Sequence, residues 1–254
     1  MRKMKVETAI VEKLSSSHSE ILEECEALKE RNCSFLSAYR VMFLSERIKT
    51  FEELTPDLNF LSSTYLINYH NKDEKIDCAY LYKAIVIRPS FIHHPVHGDV
   101  PLASNYVHIY KTFSCSIGTP NNGEFTFHLS GTYFCQQNGV TSVCAHAALC
   151  MIMNNLDPDI FNTAGHGEIT TNEINRILEQ EGMPFRKTIS TPGLKTSQIK
   201  MILRKYGLKE DTDYNFVTDP VQNRNFDYND WVYNYVESKC PVLLCFNAIG
   251  IEYV

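Results

Sequence analysis

The hydrophobic period of this 254-residue chain changes partway along, and that change constrains the fold more than any other feature. Between residues 63 and 129, aromatic and branched side chains recur with a period near two. "STYLINYH", "AYLYKAIVIRP", "YVHIYKTFSCSI" and "EFTFHLS" read as strands, with "GTPNNGE" a turn between the last two. From Cys144 onward the period is that of a helix. "CAHAALCMIMNN" is one helix. "TTNEINRILEQEG" is a second, with Thr170 and Glu173 at capping-box spacing and Gly182 as a stop. "TSQIKMILRKYG" ends at Gly207 in the same manner. "DYNDWVYNYVESK" is a fourth, followed by Pro241 and the strand-like "VLLCFNA". A helical pattern also covers residues 19 to about 53, with Ile21, Leu22, Cys25 and Leu28 as its apolar stripe. The sequence therefore predicts an α+β chain. Residues 1–120 form a helical and then β-rich region, residues 121–254 a second unit, and a soft boundary falls near residues 118–123.

Composition removes several function classes. A net charge of −6 and a pI near 5.8, with no basic stripe, argue against a nucleic-acid partner. No run of about 18 apolar residues is present, so no membrane span is expected, and "MRKMKVETAIVEKLSSSHSE" lacks the apolar centre of a signal peptide. Nine cysteines, an odd number without a regular framework, predict reduced thiols and a cytoplasmic protein.

"QQNGVTSVCAHAALCMIMNN" is the stretch that points to chemistry. Polar residues and a turn lead into a cysteine at the mouth of a helix that is apolar nearly all round except at His146. With Ser142 as N-cap, Cys144 falls in the first helical turn, where free backbone N–H groups and the positive helix end stabilise a thiolate. A glutamine just upstream can donate an N–H to an oxyanion forming beside the sulfur. The competing reading is packing, because free cysteine is among the most buried residue types. Cys150, in the same helix, reads as core.

The same segment resembles the nucleophile segment of papain-like cysteine peptidases, closest to the branch containing the double-glycine leader peptidases. Cys144 matches the nucleophile, and Ala145 with "AAL" at 147–149 matches the small-residue helix that follows. "GEITTNEINRILEQEG", "LKTSQIKMILRKYGL" and "WVYNYVESKCPVLLCFN" resemble later elements, so the likeness covers about residues 131–254. It implies a papain-like fold, with a helical half and an antiparallel sheet, and hydrolysis of a peptide, isopeptide or related acyl bond in a peptide or protein substrate, without a cofactor. Cys144 would be the thiolate. Gln137 and the Cys144 backbone N–H would be the oxyanion donors, with Asn138 and Gln136 as alternatives, since the family's glutamine sits about six residues before the cysteine.

The general base is not identified. His146, two residues on, points away round the helix. His166 lies in a loop, His93, His94 and His97 cluster in the turn-rich "FIHHPVHGD", and His108 and His128 read as outward positions on strands. The family's histidine begins the strand after "PVLLCFNA", and the chain stops at "GIEYV" where that strand would begin. The expectation is that the histidine lies just beyond Val254. The alternatives are a non-catalytic papain-fold binding or regulatory module with a degenerate site, and a metal-bound module built on Cys135, Cys144, His146 and Cys150. The last of these lacks paired zinc spacings.

Overall fold

The structure is a computed structural model that describes residues 5–86, 91–94, 98–101, 111–121, 123–156, 168–184, 193–208 and 243, with backbone alone at 91–94 and 98–101. It is α+β. Among the described residues the strands are β1 (Thr8–Leu14), β2 (Cys33–Leu44), β3 (Phe60–Asn71), β4 (Ile76–Val86), β5 (Phe91–His94), β6 (Gly98–Pro101), β7 (Lys111–Gly118) and β8 (Glu124–Phe134). Among the described residues the α-helices are α1 (Leu22–Glu30), α2 (Cys144–Asn155), α3 (Thr171–Gln180) and α4 (Thr196–Lys205). Among the described residues no helix is long and apolar enough to cross a membrane.

Six strands make one antiparallel sheet in the order β1-β2-β3-β4-β8-β7, while β5 and β6 form a separate hairpin. The four strands expected between residues 63 and 129 appear as β3, β4, β7 and β8, and the 119–123 turn closes the β7–β8 hairpin through the Thr119 N–H on the Gly123 carbonyl. The soft boundary near residues 118–123 therefore lies inside a hairpin. The helical pattern over residues 19–53 holds only for α1, because residues 33–44 form β2. That segment carries Tyr39, Val41 and Phe43, which suit a pleated surface, and it has strands on both sides. His93 and His94 sit in β5, paired with Asp99 and Gly98, rather than in a loop. His97, His108, His166, "DYNDWVYNYVESK" and all of "VLLCFNA" except Leu243 lie outside the described residues.

Cross-strand register sorts the inward face of the sheet into three rows. Ile10, Met42, Ser63, Ile85 and Tyr133 stand opposite one another across five strands. Glu12, Arg40, Tyr65 and Lys83 form the next row, and Leu14, Ala38, Ile67 and Tyr80 the third. The first row belongs to an apolar core shared with α2, α3 and α4 through Leu149, Met153, Ile174, Ile177 and Ile202. The third lies under α1, against Ile21, Cys25 and Leu28. The charged row runs between these two cores.

Each buried cation in that row is paired. Arg40, 1% exposed, donates from Nε to Glu12 at 2.7 Å and from Nη1 to Ser116 at 2.9 Å and Glu124 at 3.3 Å. Lys83 donates to Glu20 and Glu168, both at 2.6 Å, with its Nζ 4.7 Å from the centre of the Tyr65 ring. Burial disfavours the Lys83 charge, but Glu168 and Glu20 outweigh it and hold the ammonium above its ordinary range. Glu12 also accepts the Gly118 N–H at 2.8 Å, so the two edge strands, β1 and β7, meet and the sheet is curled. A Cβ at Gly118 would fall against the Glu12 carboxylate, so a larger residue there would have to displace that side chain. The rings of Phe60 and Phe127 stack at 4.2 Å across the same curl.

Removing one partner of a buried ion pair leaves the other uncompensated. Glu12→Ala is expected to cost about 3 kcal/mol in urea denaturation. Glu124→Ala, at an exposed end of the same network, should cost no more than about 1 kcal/mol. Equal losses would show that Glu12 is not the closing partner.

Candidate active site

Helix α2 begins at Cys144. Its N-cap is Val143 in extended conformation (φ −105°, ψ 174°), one residue later than the Ser142 expected from sequence, and no side chain caps it. Ser142 is unavailable because both its backbone groups are taken: its N–H donates to the Asn138 Oδ1 at 3.1 Å, and its carbonyl accepts the Asn138 and Gly139 N–H groups. Cys144 is thus the first helical residue. Its side chain is exposed, while His146, Ala147, Leu149, Cys150 and Met153 behind it are buried. The N–H groups of a first helical turn have no intrahelical acceptor, so the thiol shares the positive end of α2 with donors that point out of the helix.

The turn in front of the cysteine is held from two sides. The Asn138 Oδ1 accepts the N–H groups of Val140 and Thr141, each at 2.9 Å, as well as that of Ser142. Gly139 takes φ +74°, a left-handed conformation that glycine adopts without penalty. Beneath this turn lies Glu24 of α1, 4% exposed. One carboxylate oxygen, Oε1, accepts from the Tyr80 hydroxyl at 2.6 Å, the Asn138 Nδ2 at 3.3 Å and the Thr141 hydroxyl. Thr141 in turn accepts from the Asn138 Nδ2 at 2.7 Å. Burial pushes the Glu24 carboxyl up, against the opposing pull of Thr141, Tyr80, Arg31 and Asn138.

The three amides considered as oxyanion donors separate clearly. Gln136 extends the pairing of β4, its side-chain oxygen accepting the Leu81 N–H at 3.1 Å and its own N–H donating to the Leu81 carbonyl at 3.0 Å. Asn138 is committed to the turn and to Glu24. Gln137 is exposed and makes no described side-chain hydrogen bond.

His146 is fully buried, its Nε2 3.1 Å from the Asn175 Oδ1 of α3, which agrees with a side chain directed away from the thiol. His128 is exposed on β8, His70 pairs with Asp77 at 2.7 Å, and the His18 Nδ1 accepts the Glu20 N–H at 3.3 Å. The four groups weighed as metal ligands do not converge. Cys135 and Cys150 sit together in the core, where their contact and burial push the Cys150 thiol up, while Cys144 faces solvent and His146 faces α3. Among the described residues no group of three His, Cys, Asp or Glu side chains could hold a metal.

The far end of α2 is locked as firmly as its start. The Asn154 Nδ2 donates to the Ile169 carbonyl and its Oδ1 accepts the Ile169 N–H, while Asn155 makes the same two-way contact with the backbone of Tyr133. Sequence reasoning missed Glu24, Tyr80, Asn154, Asn155 and Asn175. The Asn-Gly pair at 138–139 was the one local signal for the turn. Comparisons with protein-family models, with curated proteins and with solved structures found no match for the chain.

A raised carboxyl favours the protonated form in the folded protein. Its contribution to stability is complete below the ordinary value of 4.5 and declines as pH rises through the raised value. The stability difference between wild type and Glu24→Gln, measured by urea denaturation, should therefore shift against wild type as pH increases above 4.5. A difference independent of pH would show that Glu24 does not titrate in this range.

Proposed function

We propose that the chain is a cysteine peptidase-like hydrolase of papain-like fold, in which the Cys144 thiolate attacks the carbonyl carbon of a peptide, isopeptide or related acyl bond. One observation carries this reading: an exposed thiol at the first position of a helix whose body is packed into the core. A cysteine serving only as packing has no reason to face solvent there, and an exposed cysteine elsewhere would lack the first-turn donors. On attack, the carbonyl oxygen gains the negative charge. The Cys144 N–H and the Gln137 side-chain amide are the donors proposed to receive it. The amine leaves with a proton, and water then releases the acyl group from sulfur.

The proton shuttle falls to an imidazole outside the described side chains, since the four histidines whose side chains are described are engaged or placed elsewhere. The substrate is a peptide or protein, and the reaction needs no cofactor. The seven described cysteines are free thiols, the state a reducing cytoplasm maintains.

Among those seven, Cys144 is exposed, Cys78 half-buried and the others buried, with burial pushing Cys25 and Cys115 up to about 11. Iodoacetamide at neutral pH, followed by peptide mapping, should therefore label Cys144 first among these seven. Under the hydrolase reading, Cys144→Ala abolishes turnover of a peptide or thioester substrate while leaving the circular dichroism spectrum unchanged. Preferential labelling without any turnover, in a protein that also carries the general-base histidine, would favour a non-catalytic binding module that keeps the thiol.

A further inference from the structure

We infer that Glu24 is a positioning residue for Cys144, so that α1, from the opposite end of the sequence, is part of the candidate active site. The inference rests on the nucleophile reading for its meaning, but not for its geometry. Glu24 holds Thr141 and Asn138 through one oxygen, Asn138 holds the N–H groups of Val140, Thr141 and Ser142, and two residues separate Thr141 from the thiol. The residue between this turn and the thiol, Val143, gives its carbonyl to the Ala147 N–H at 3.0 Å, the first bond of α2. Three of the links are shielded, Glu24, Thr141 and Ser142 being 4%, 0% and 8% exposed, while Asn138 between them is half-buried. Water competes little for the buried Thr141–Glu24 bond, which favours one geometry at the start of α2.

Packing does not account for the acid. A buried carboxyl costs stability, whereas an apolar residue at the same place on α1 would fill the space without that cost. Three donors on a single oxygen instead make Glu24 the junction of α1, β4 and the turn. The neighbouring Glu23 adds a second brace. Its carbonyl accepts the Asn172 Nδ2 at 2.9 Å, and its carboxylate accepts the Thr170 hydroxyl at 3.2 Å, both at the start of α3. Helix α3 then holds α2 through Asn175 and His146. One short helix thus fixes the thiol-bearing helix both directly and through its neighbour.

The thiolate is the species that alkylates, and first-turn N–H groups favour it only while they keep a fixed relation to the sulfur. The test compares the second-order rate constant for iodoacetamide at Cys144 in the full chain, at one neutral pH, with circular dichroism to confirm folding. Glu24→Ala and Thr141→Val are expected to slow labelling by about two- to fivefold, the worth of a helix terminus. Thr141→Ser, which keeps the hydroxyl on the carboxylate, should label at the wild-type rate. An unchanged or faster rate in folded Thr141→Val, or a Thr141→Ser variant as slow as Thr141→Val, overturns the inference. Should Glu24→Ala or Thr141→Val fail to fold, Glu24→Met, which fills the space without an oxygen acceptor, decides in the same way. Labelling requires no turnover, so failure of the hydrolase reading would appear separately, as a wild-type protein that carries the general-base histidine, labels in this pattern and yet cleaves nothing.

Discussion

Arg40 and Lys83 point into the sheet, and the rest of the structure is arranged around satisfying them. An unpaired charge at either position would be severely destabilising, and neither strand supplies its own counter-ion in register except Glu12 opposite Arg40. The other carboxylates come from elsewhere: Glu124 from β8, Glu20 from the approach to α1, and Glu168 from the approach to α3. The Tyr133 hydroxyl adds a bond to Glu168 at 2.9 Å. Each pairing fixes a segment that hydrophobic contact alone would leave free to slide. The charged row thereby specifies where the two apolar cores stop and how the sheet curls between them.

That arrangement explains why α1 and α2 can cooperate although they belong to different cores. The α1 core includes Val140, in the turn before Cys144, while the α2 core begins at Ala147. The thiol stands where the two cores adjoin, and the polar contacts of Glu24, Asn138 and Thr141 bridge them. The side chains holding α2 at its far end, Asn154 and Asn155, are likewise buried amides bonded to backbone groups. Such contacts are directional, so they fix orientation as well as proximity.

Much of this was legible in the sequence, and the gaps have physical causes. Strands β3, β4, β7 and β8 announced themselves by alternation, and α2 was foreseen from its first residue to its last. The Thr170 cap of α3, whose side chain accepts the Glu173 N–H, and the stops at Gly182 and Gly207 were also readable, because caps are local. β2 was not, since Arg40 sits inward among apolar residues and spoils the alternation that marks a strand. β1 is seven residues long with two charges, too short to show a period. The site divided along the same line. Cys144 declared itself through the turn and helix around it, whereas Glu24 is 117 residues from Thr141 and carries no local sign of burial. Ser142 looked like a cap because of its residue type, but only the fold shows that the turn has already consumed its backbone.

The Glu12–Gly118 contact spans 106 residues and the Asn172–Glu23 contact 149, while β7 and β8 are joined by a turn of a few residues. Distant pairings of this kind are slow to form, because the chain must close large loops before they reward it. They also give the polypeptide a natural seam. Severed in the 119–123 turn, it would yield one piece carrying β1 to β7 with α1, and another carrying β8 with the remaining helices. Each would expose half of a strand ladder and half of a charge network made to fit the other. Such pieces are complementary halves rather than independent modules, and thiol chemistry at Cys144 could report their reassembly.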